Sequence, residues 1–185
     1  MTVVLADSAR HAISAFLVFF FGVFFFIMIA KIFEVGQKRA LFLYFWHMFF
    51  CLLYLVFSLF NTADSNIYYQ KSLSYYEFGL GTHFIVSFAS LFSKHLGFSY
   101  VGVFLVFNII GTLGLLAFYG SLNSIVGGKS RRVQWVAFLV ILLPSASFWS
   151  SAIGKEPFAF LSIGFALWAN LDLRNRFGFM AFSIL

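Results

Sequence analysis

The sequence predicts an all-α polytopic membrane protein. Three observations lead there. The 185 residues are 62% hydrophobic and only 10% charged, with a mean hydropathy of +0.97; an ordinary soluble domain is roughly a quarter charged. The apolar residues fall in long uninterrupted runs. The cations sit in clusters beside the ends of those runs. This composition excludes a water-soluble globular domain, a disordered chain and a nucleic-acid-binding basic domain, so no nucleic-acid partner is expected. The net charge of +6 is read instead as a record of which loops face which side of a bilayer.

A spanning helix needs about 20 apolar residues. Residues 12–32 form the first such run. It is too long for the ~7–15-residue core of a secretory signal, and no small-residue cleavage site follows it. A tight loop with Lys31, Lys38 and Arg39 leads to the second span, residues 40–60. The third is residues 101–122, followed by a loop with Gly127, Gly128, Lys129, Arg131 and Arg132. The fourth runs from Val133 past Pro144 to about Trp149, and Pro144 is expected to end or kink it. Residues 158–170 form a short fifth span before a loop with Arg174 and Arg176. Nine further apolar residues, 177–185, are too few to cross. The chain is therefore expected to be the N-terminal part, one transmembrane domain over residues 1–185, of a longer protein.

Residues 80–94 decide the topology. His83, Ser87, Ser90 and Lys94 recur at helical spacing on one face. Phe84, Ile85, Phe88, Leu91 and Phe92 cover the rest. This pattern predicts a helix lying in the membrane interface with its apolar side toward the acyl chains. If it does not cross, eight cations (Lys31, Lys38, Arg39, Lys129, Arg131, Arg132, Arg174, Arg176) fall on one side and four (Arg10, Lys71, Lys94, Lys155) on the other. The larger set is the cytoplasmic one, which puts the N-terminus and residues 61–100 outside. If residues 80–94 crossed, that asymmetry would vanish.

Polar residues able to act together gather on the predicted outer side. Asp64 follows the second span directly, with Tyr68, Tyr69 and Lys71 after it, then Tyr75, Tyr76, Glu77, His83, Lys94 and His95. Trp149, Lys155 and Glu156 come from the later outer loop. An acid at the water–lipid boundary is partly desolvated and becomes a better proton acceptor. Asp is equally an ordinary turn or N-cap residue, and Tyr is common at interfaces. Pro157 suits the first turn of a helix, and Glu156 beside it suits the positive helix end. Lys155 is either an interfacial anchor or a cation for a phosphate group. His47 lies mid-span, where an ionisable group is a functional candidate or is satisfied by a neighbouring helix. Asn108 in the third span can form such a helix–helix bond. Cys51 stands alone in an apolar run, so neither an internal disulfide nor a Cys metal cluster arises. No cofactor is called for; a divalent cation is compatible with the sequence but not indicated by it.

The arrangement resembles the bacterial exopolysaccharide and O-antigen polymerases, and more broadly the GT-C-type membrane glycosyltransferases. The resemblance rests on two helices joined by a short basic loop and then Asp64-x-x-x-Tyr68. Gly79-x-Gly81-Thr82 opens the interfacial helix. The last motif is Pro144-Ser145-x-x-Phe148-Trp149-Ser150-Ser151-x-x-x-Lys155-Glu156. Together these motifs cover residues 45–173. The resemblance implies a bacterial inner-membrane enzyme. It would transfer a sugar or oligosaccharide, with inversion, from a polyprenyl-diphosphate donor to the hydroxyl of a glycan acceptor on the outer face. Asp64 would be the catalytic base, Lys155 with Lys71 or Lys94 would hold the diphosphate, and Tyr68, Tyr69 and Trp149 would stack on sugar faces. Glu77, His83 and Glu156 complete the expected substrate contacts. Two features depart from the pattern: Asp64 has no acidic neighbour before Glu77, and residues 61–100 contain no Arg. The rival expectation is a non-enzymatic membrane subunit or a transporter or flippase fragment.

Overall fold

A computed structural model describes residues 5, 7–74 and 78–184, and every described element is helical. α1 (Ala9–Ile29) starts where the Ser8 hydroxyl accepts the His11 N–H at 3.3 Å, satisfying one of the unpaired first-turn donors. Its apolar helix continues through a tightening turn to Phe33. Glu34 then enters the left-handed region at φ 55°. Its N–H bonds to Lys31 O at 3.1 Å and that of Val35 to Ala30 O at 3.0 Å. This is a Schellman stop, with Glu in the place glycine usually takes.

α2 (Gln37–Phe60), α3 (Asp64–Ser72) and α4 (Thr82–Ser90) follow, and a single π-helical turn, Leu91–His95, prolongs α4. α5 (Tyr100–Val126) is the longest helix and the most buried. α6 (Arg131–Ile141) and α7 (Pro144–Trp149) share one apolar stretch divided before Pro144. Leu143 there turns to ψ 119°, as the residue ahead of a proline prefers. α8 (Glu156–Asn170) and α9 (Phe177–Ile184) close the described chain.

Among the described residues four stretches are long and apolar enough to cross a membrane: Ala9–Phe33, Gln37–Phe60, Tyr100–Val126 and Arg131–Trp149. α1 leaves Phe16, Phe20, Phe24 and Met28 bare, the last 77% exposed. A whole bare helix side suits a hydrocarbon solvent and would be a liability in water. The expected fifth span corresponds to α8, whose 15 residues are short for the task.

The bundle is organised around α5. Glycines let its neighbours reach its backbone. A Cβ on Gly164 of α8 would stand 2.5 Å from the Gly114 carbonyl oxygen, and one on Gly114 would stand 2.8 Å from Leu161 N. Such a crossing needs small residues, as is usual between membrane helices. A Cβ on Gly120 would likewise meet Phe33 O at 2.6 Å.

Arg176 donates to Glu34 at 2.7 Å and lies 3.5 Å over the buried Trp168 ring. Arg39 donates to the Tyr119 hydroxyl at 2.7 Å. These contacts gather the 31–36, 127–130 and 171–176 loops at one end of the bundle. That end holds the eight cations and two acids, Glu34 and Asp172. Among the described residues the opposite end carries four cations and three acids, Asp7, Asp64 and Glu156. Most of the net charge therefore belongs to one end.

α4 differs from expectation in its packing. Phe84 and Phe88 lie edge-on to Phe158 of α8, each with centroids 5.1 Å away, and Phe88 meets Phe107 of α5 at 5.6 Å. Ile85, Val86 and Ala89 are buried. Much of the apolar side expected to face lipid covers the α5–α8 crossing instead, because the short α8 leaves those rings uncovered. Leu80, Leu91 and Leu96 stay exposed.

Candidate functional site

At the end with the smaller charge, α3 is held down by its second and third residues. The Tyr100 hydroxyl donates to Asn66 Oδ1 at 2.5 Å and lies 3.0 Å from Ser65 Oγ and 2.9 Å from Ser58 Oγ. The Asn66 amide in turn donates to Ser58 O at 2.7 Å. Three helices are thereby joined by a small buried polar cluster, and the chain between α2 and α3 has one course. Ala63 is the N-cap. Asp64 is the first residue inside α3 and is exposed, so it is not the cap that a turn reading allowed. Its charge still favours the positive helix end.

The second wall comes from the 149–156 segment. Trp149 ends α7, half exposed, with its ring edge-on to Tyr54 at 5.7 Å. Lys155 is the N-cap of α8, Glu156 its first residue, and Pro157 follows in the first turn, as the sequence predicts. Gly154 is buried, and a Cβ there would collide with the Glu156 carboxylate.

Between the walls lies a cleft of about 310 Å3. Asp64, Tyr68, Trp149 and Glu156 line it, with Tyr54, Phe57 and Gly154 among the other residues around it. Two acids at the first turns of two helices, a phenol and an indole thus share one space. Tyr68 follows Asp64 by one helical turn. Burial, then the Asp64 carboxylate, holds its phenol above the ordinary value; the hydrogen-bonding hydroxyl of Thr82 pulls the other way, and Glu156 adds a smaller push upward. Tyr68 therefore stays a neutral hydroxyl, able to donate or accept, at ordinary pH.

Other predicted residues lie elsewhere. Tyr69 is 3% exposed; its hydroxyl donates to Phe98 O at 3.2 Å and its ring packs on Tyr100. It belongs to the core, and burial raises its phenol first of all causes. Lys71, Lys94 and Lys155 are exposed and do not line the cleft. His83 is exposed on α4 and does not line it either. Tyr75, Tyr76 and Glu77 lie outside the described residues. Among the described residues no three His, Cys, Asp or Glu side chains come together.

Sequence reasoning missed that Tyr54 and Gly154 line the cleft, and it did not bring Glu156 into one space with Asp64. Tyr54 is one aromatic among many in α2 and carries no local signal. For Glu156 the signal was its repetition of Asp64's position, an acid at the first turn of a helix.

His47 and Asn108 settle into a structural role. His47 is fully buried, with Nδ1 2.7 Å from Asn108 Oδ1 and Nε2 2.9 Å from Ser150 Oγ. The bonds join α2, α5 and the residue after α7.

The fold and the exposed apolar helices define the class: an all-helical chain consistent with a multi-pass membrane protein. No family model matches the sequence, and no match is found among curated proteins or solved structures.

Proposed function

We propose that this protein is a membrane glycosyltransferase that extends a polysaccharide from a polyprenyl-diphosphate-linked sugar. The observation that carries the reading is the convergence of Asp64, Tyr68, Trp149 and Glu156, from two distant segments, on one cleft. The cleft lies at the end of the apolar helices, where a lipid-borne sugar meets water.

In this mechanism the acceptor hydroxyl enters the cleft and Asp64 takes its proton. The acceptor oxygen bonds to the anomeric carbon from the face opposite the diphosphate, and the bond to the diphosphate oxygen breaks with its electron pair. Positioning and electrostatics supply most of the rate. Trp149 and Tyr68 offer faces for sugar rings. Glu156 accepts sugar hydroxyls, with Gly154 leaving room for its carboxylate. Lys155, at the N-terminus of α8, meets the diphosphate from the rim. The polyprenyl chain lies along the exposed helix sides.

The eight-cation end faces the cytoplasm of a bacterial inner membrane. The N-terminus and the cleft face outward, α8 is the short fifth span, and α4 lies in the interface.

A second reading has one observation in its favour. Among the described residues no cation lines the cleft, which suits a non-enzymatic subunit or transporter element that handles neutral sugars. Asp64→Asn in the native membrane separates the two. The transferase reading expects polymer formation to fall by roughly two or more orders of magnitude with membrane insertion unchanged. Normal polymer with Asn at this position would rule out Asp64 as the base.

A further inference from the structure

A second cavity, of about 210 Å3, opens at the opposite, eight-cation end, between the start of α2, the end of α5 and the first turn of α6. Arg39, Tyr119, Asn123, Arg131, Gln134 and Trp135 line it, and no acid among the described residues does. The two acids of this end are engaged elsewhere. Glu34 pairs with Arg176. Asp172 accepts from the Asn175 amide at 2.7 Å and from its backbone N–H at 3.3 Å.

Arg39 uses one N–H on the Tyr119 hydroxyl, which leaves the rest of its donor fork and the Tyr119 proton for another acceptor. Arg131 has no ion-pair partner among the described residues. Gln134 turns its amide back to the Gly127 and Lys129 carbonyls, at 3.3 and 3.1 Å, and holds the rim in shape.

The helix directions add an independent observation. Arg39 is in the first turn of α2 and Arg131 is the first residue of α6, and neither first turn contains an acid. Cations at the positive end of a helix dipole are unfavourable, while an anion there is favourable. Two helix starts and two guanidinium groups therefore meet with nothing negative between them.

We propose that this cavity binds a phosphate group, presented as the headgroup of an anionic glycerophospholipid. Guanidinium groups match phosphate oxygens in pairs. Trp135, 57% exposed, is the side chain expected at headgroup depth. Basic cavities between membrane helices take such headgroups. The site is independent of the reaction performed at the far cleft.

The test is native mass spectrometry of the whole detergent-solubilised chain, titrated with phosphatidylglycerol or with phosphatidylcholine of the same acyl chains. Phosphatidylglycerol should bind at lower concentration. Arg131→Gln should weaken it about fivefold, the order one basic side chain contributes at an anionic surface. Arg39→Gln should weaken it at least as much. Because Arg39 also holds Tyr119, the exposed Arg131 is the decisive position. Arg132→Gln, one residue on and outside the cavity lining, should leave binding unchanged. Excess inorganic phosphate should not displace the lipid. Equal binding of the two lipids would overturn the proposal. So would an equal loss with Arg132→Gln, which would mean diffuse surface charge. Displacement by inorganic phosphate would assign the cavity to a soluble anion instead.

Discussion

His47 Nε2 lies 2.9 Å from the hydroxyl oxygen of Ser150, a residue 103 positions later in the chain. Asn108 Oδ1 can only accept, so Nδ1 carries the proton of the neutral imidazole and Nε2 accepts from the Ser150 hydroxyl, whose proton Ala146 O at 2.6 Å also competes for. A Cβ on Gly111 would collide with the Ser150 carbonyl and stand 2.6 Å from His47 Cε1. The bond thus exists because α5 has no side chain at that point. It also sets the height of the segment that carries Trp149 beside the cleft.

Replacing His47 by Leu strands Asn108 and loosens the 149–156 segment. Interhelical hydrogen bonds in membranes are each worth about 0.6–2 kcal/mol. A double-mutant cycle of His47→Ala with Ser150→Ala, read from unfolding midpoints in mixed detergent, should return a coupling of that size. Additive losses would show that the pair does not interact in the bilayer.

The α5–α8 crossing makes a sharper forecast. Gly164→Ala forces a methyl group into the Gly114 carbonyl and should destabilise by about 1–3 kcal/mol, the usual cost of overpacking. Gly178→Ala is the control, because a Cβ there meets nothing within 4 Å. Thermal denaturation of the two purified variants gives the comparison, and equal stabilities would contradict the packing.

Glu34 serves two needs that conflict. Its backbone is left-handed, at φ 55°, where glycine is preferred by about 1 kcal/mol. Its carboxylate, 59% exposed, meets Arg176, whose side chain is only 16% exposed; a pair at the surface of this kind is worth about 0–1 kcal/mol. Glu34→Gly should therefore be close to neutral, while Glu34→Ala, which loses the pair and keeps the strain, should be the less stable. Chemical denaturation ranks them, and the reverse order would refute the strain argument.

Sidedness is open to labelling. Cys51 is fully buried and gives a quiet background. Cysteines placed at the exposed Ser74 and Ser130 should react with an impermeant maleimide from opposite faces of the cell membrane, Ser74 from outside. Reaction of both from one face would overturn the two-ended charge arrangement.

On the proposed transferase reading, Glu156→Gln should reduce polymer formation less than Asp64→Asn, because it would remove a sugar contact and leave the proposed base. A shift confined to KM for the acceptor, measured with membranes and a polyprenyl-diphosphate sugar, is the expected signature. A loss as large as that of Asp64→Asn would make Glu156 the base or its equal partner.

The sequence by itself determined the solvent, the long helices and their punctuation. Length and hydropathy are properties of a continuous stretch, and no packing is needed to read residues 40–60 as a span. Pro144 was legible as a break in the fourth run and Pro157 as a helix start because proline lacks an N–H wherever it stands. The grouping of the loop cations was legible from the order of the runs once residues 80–94 were read as not crossing.

Tertiary structure decided the rest. Tyr68 and Tyr69 are neighbours of one residue type, yet a rotation of about 100° along the helix sends one into the cleft and the other onto Phe98. Nothing local to α3 distinguishes them; the Tyr100 cluster does, by fixing which side of α3 meets the bundle. Glu156 shares a cleft with Asp64, and His47 meets Ser150, because glycines at 111, 114 and 164 let Ser150 and α8 approach α5 to backbone distance. Local pattern reports what a segment can bury. Which segments meet is set by the few positions where two backbones can touch.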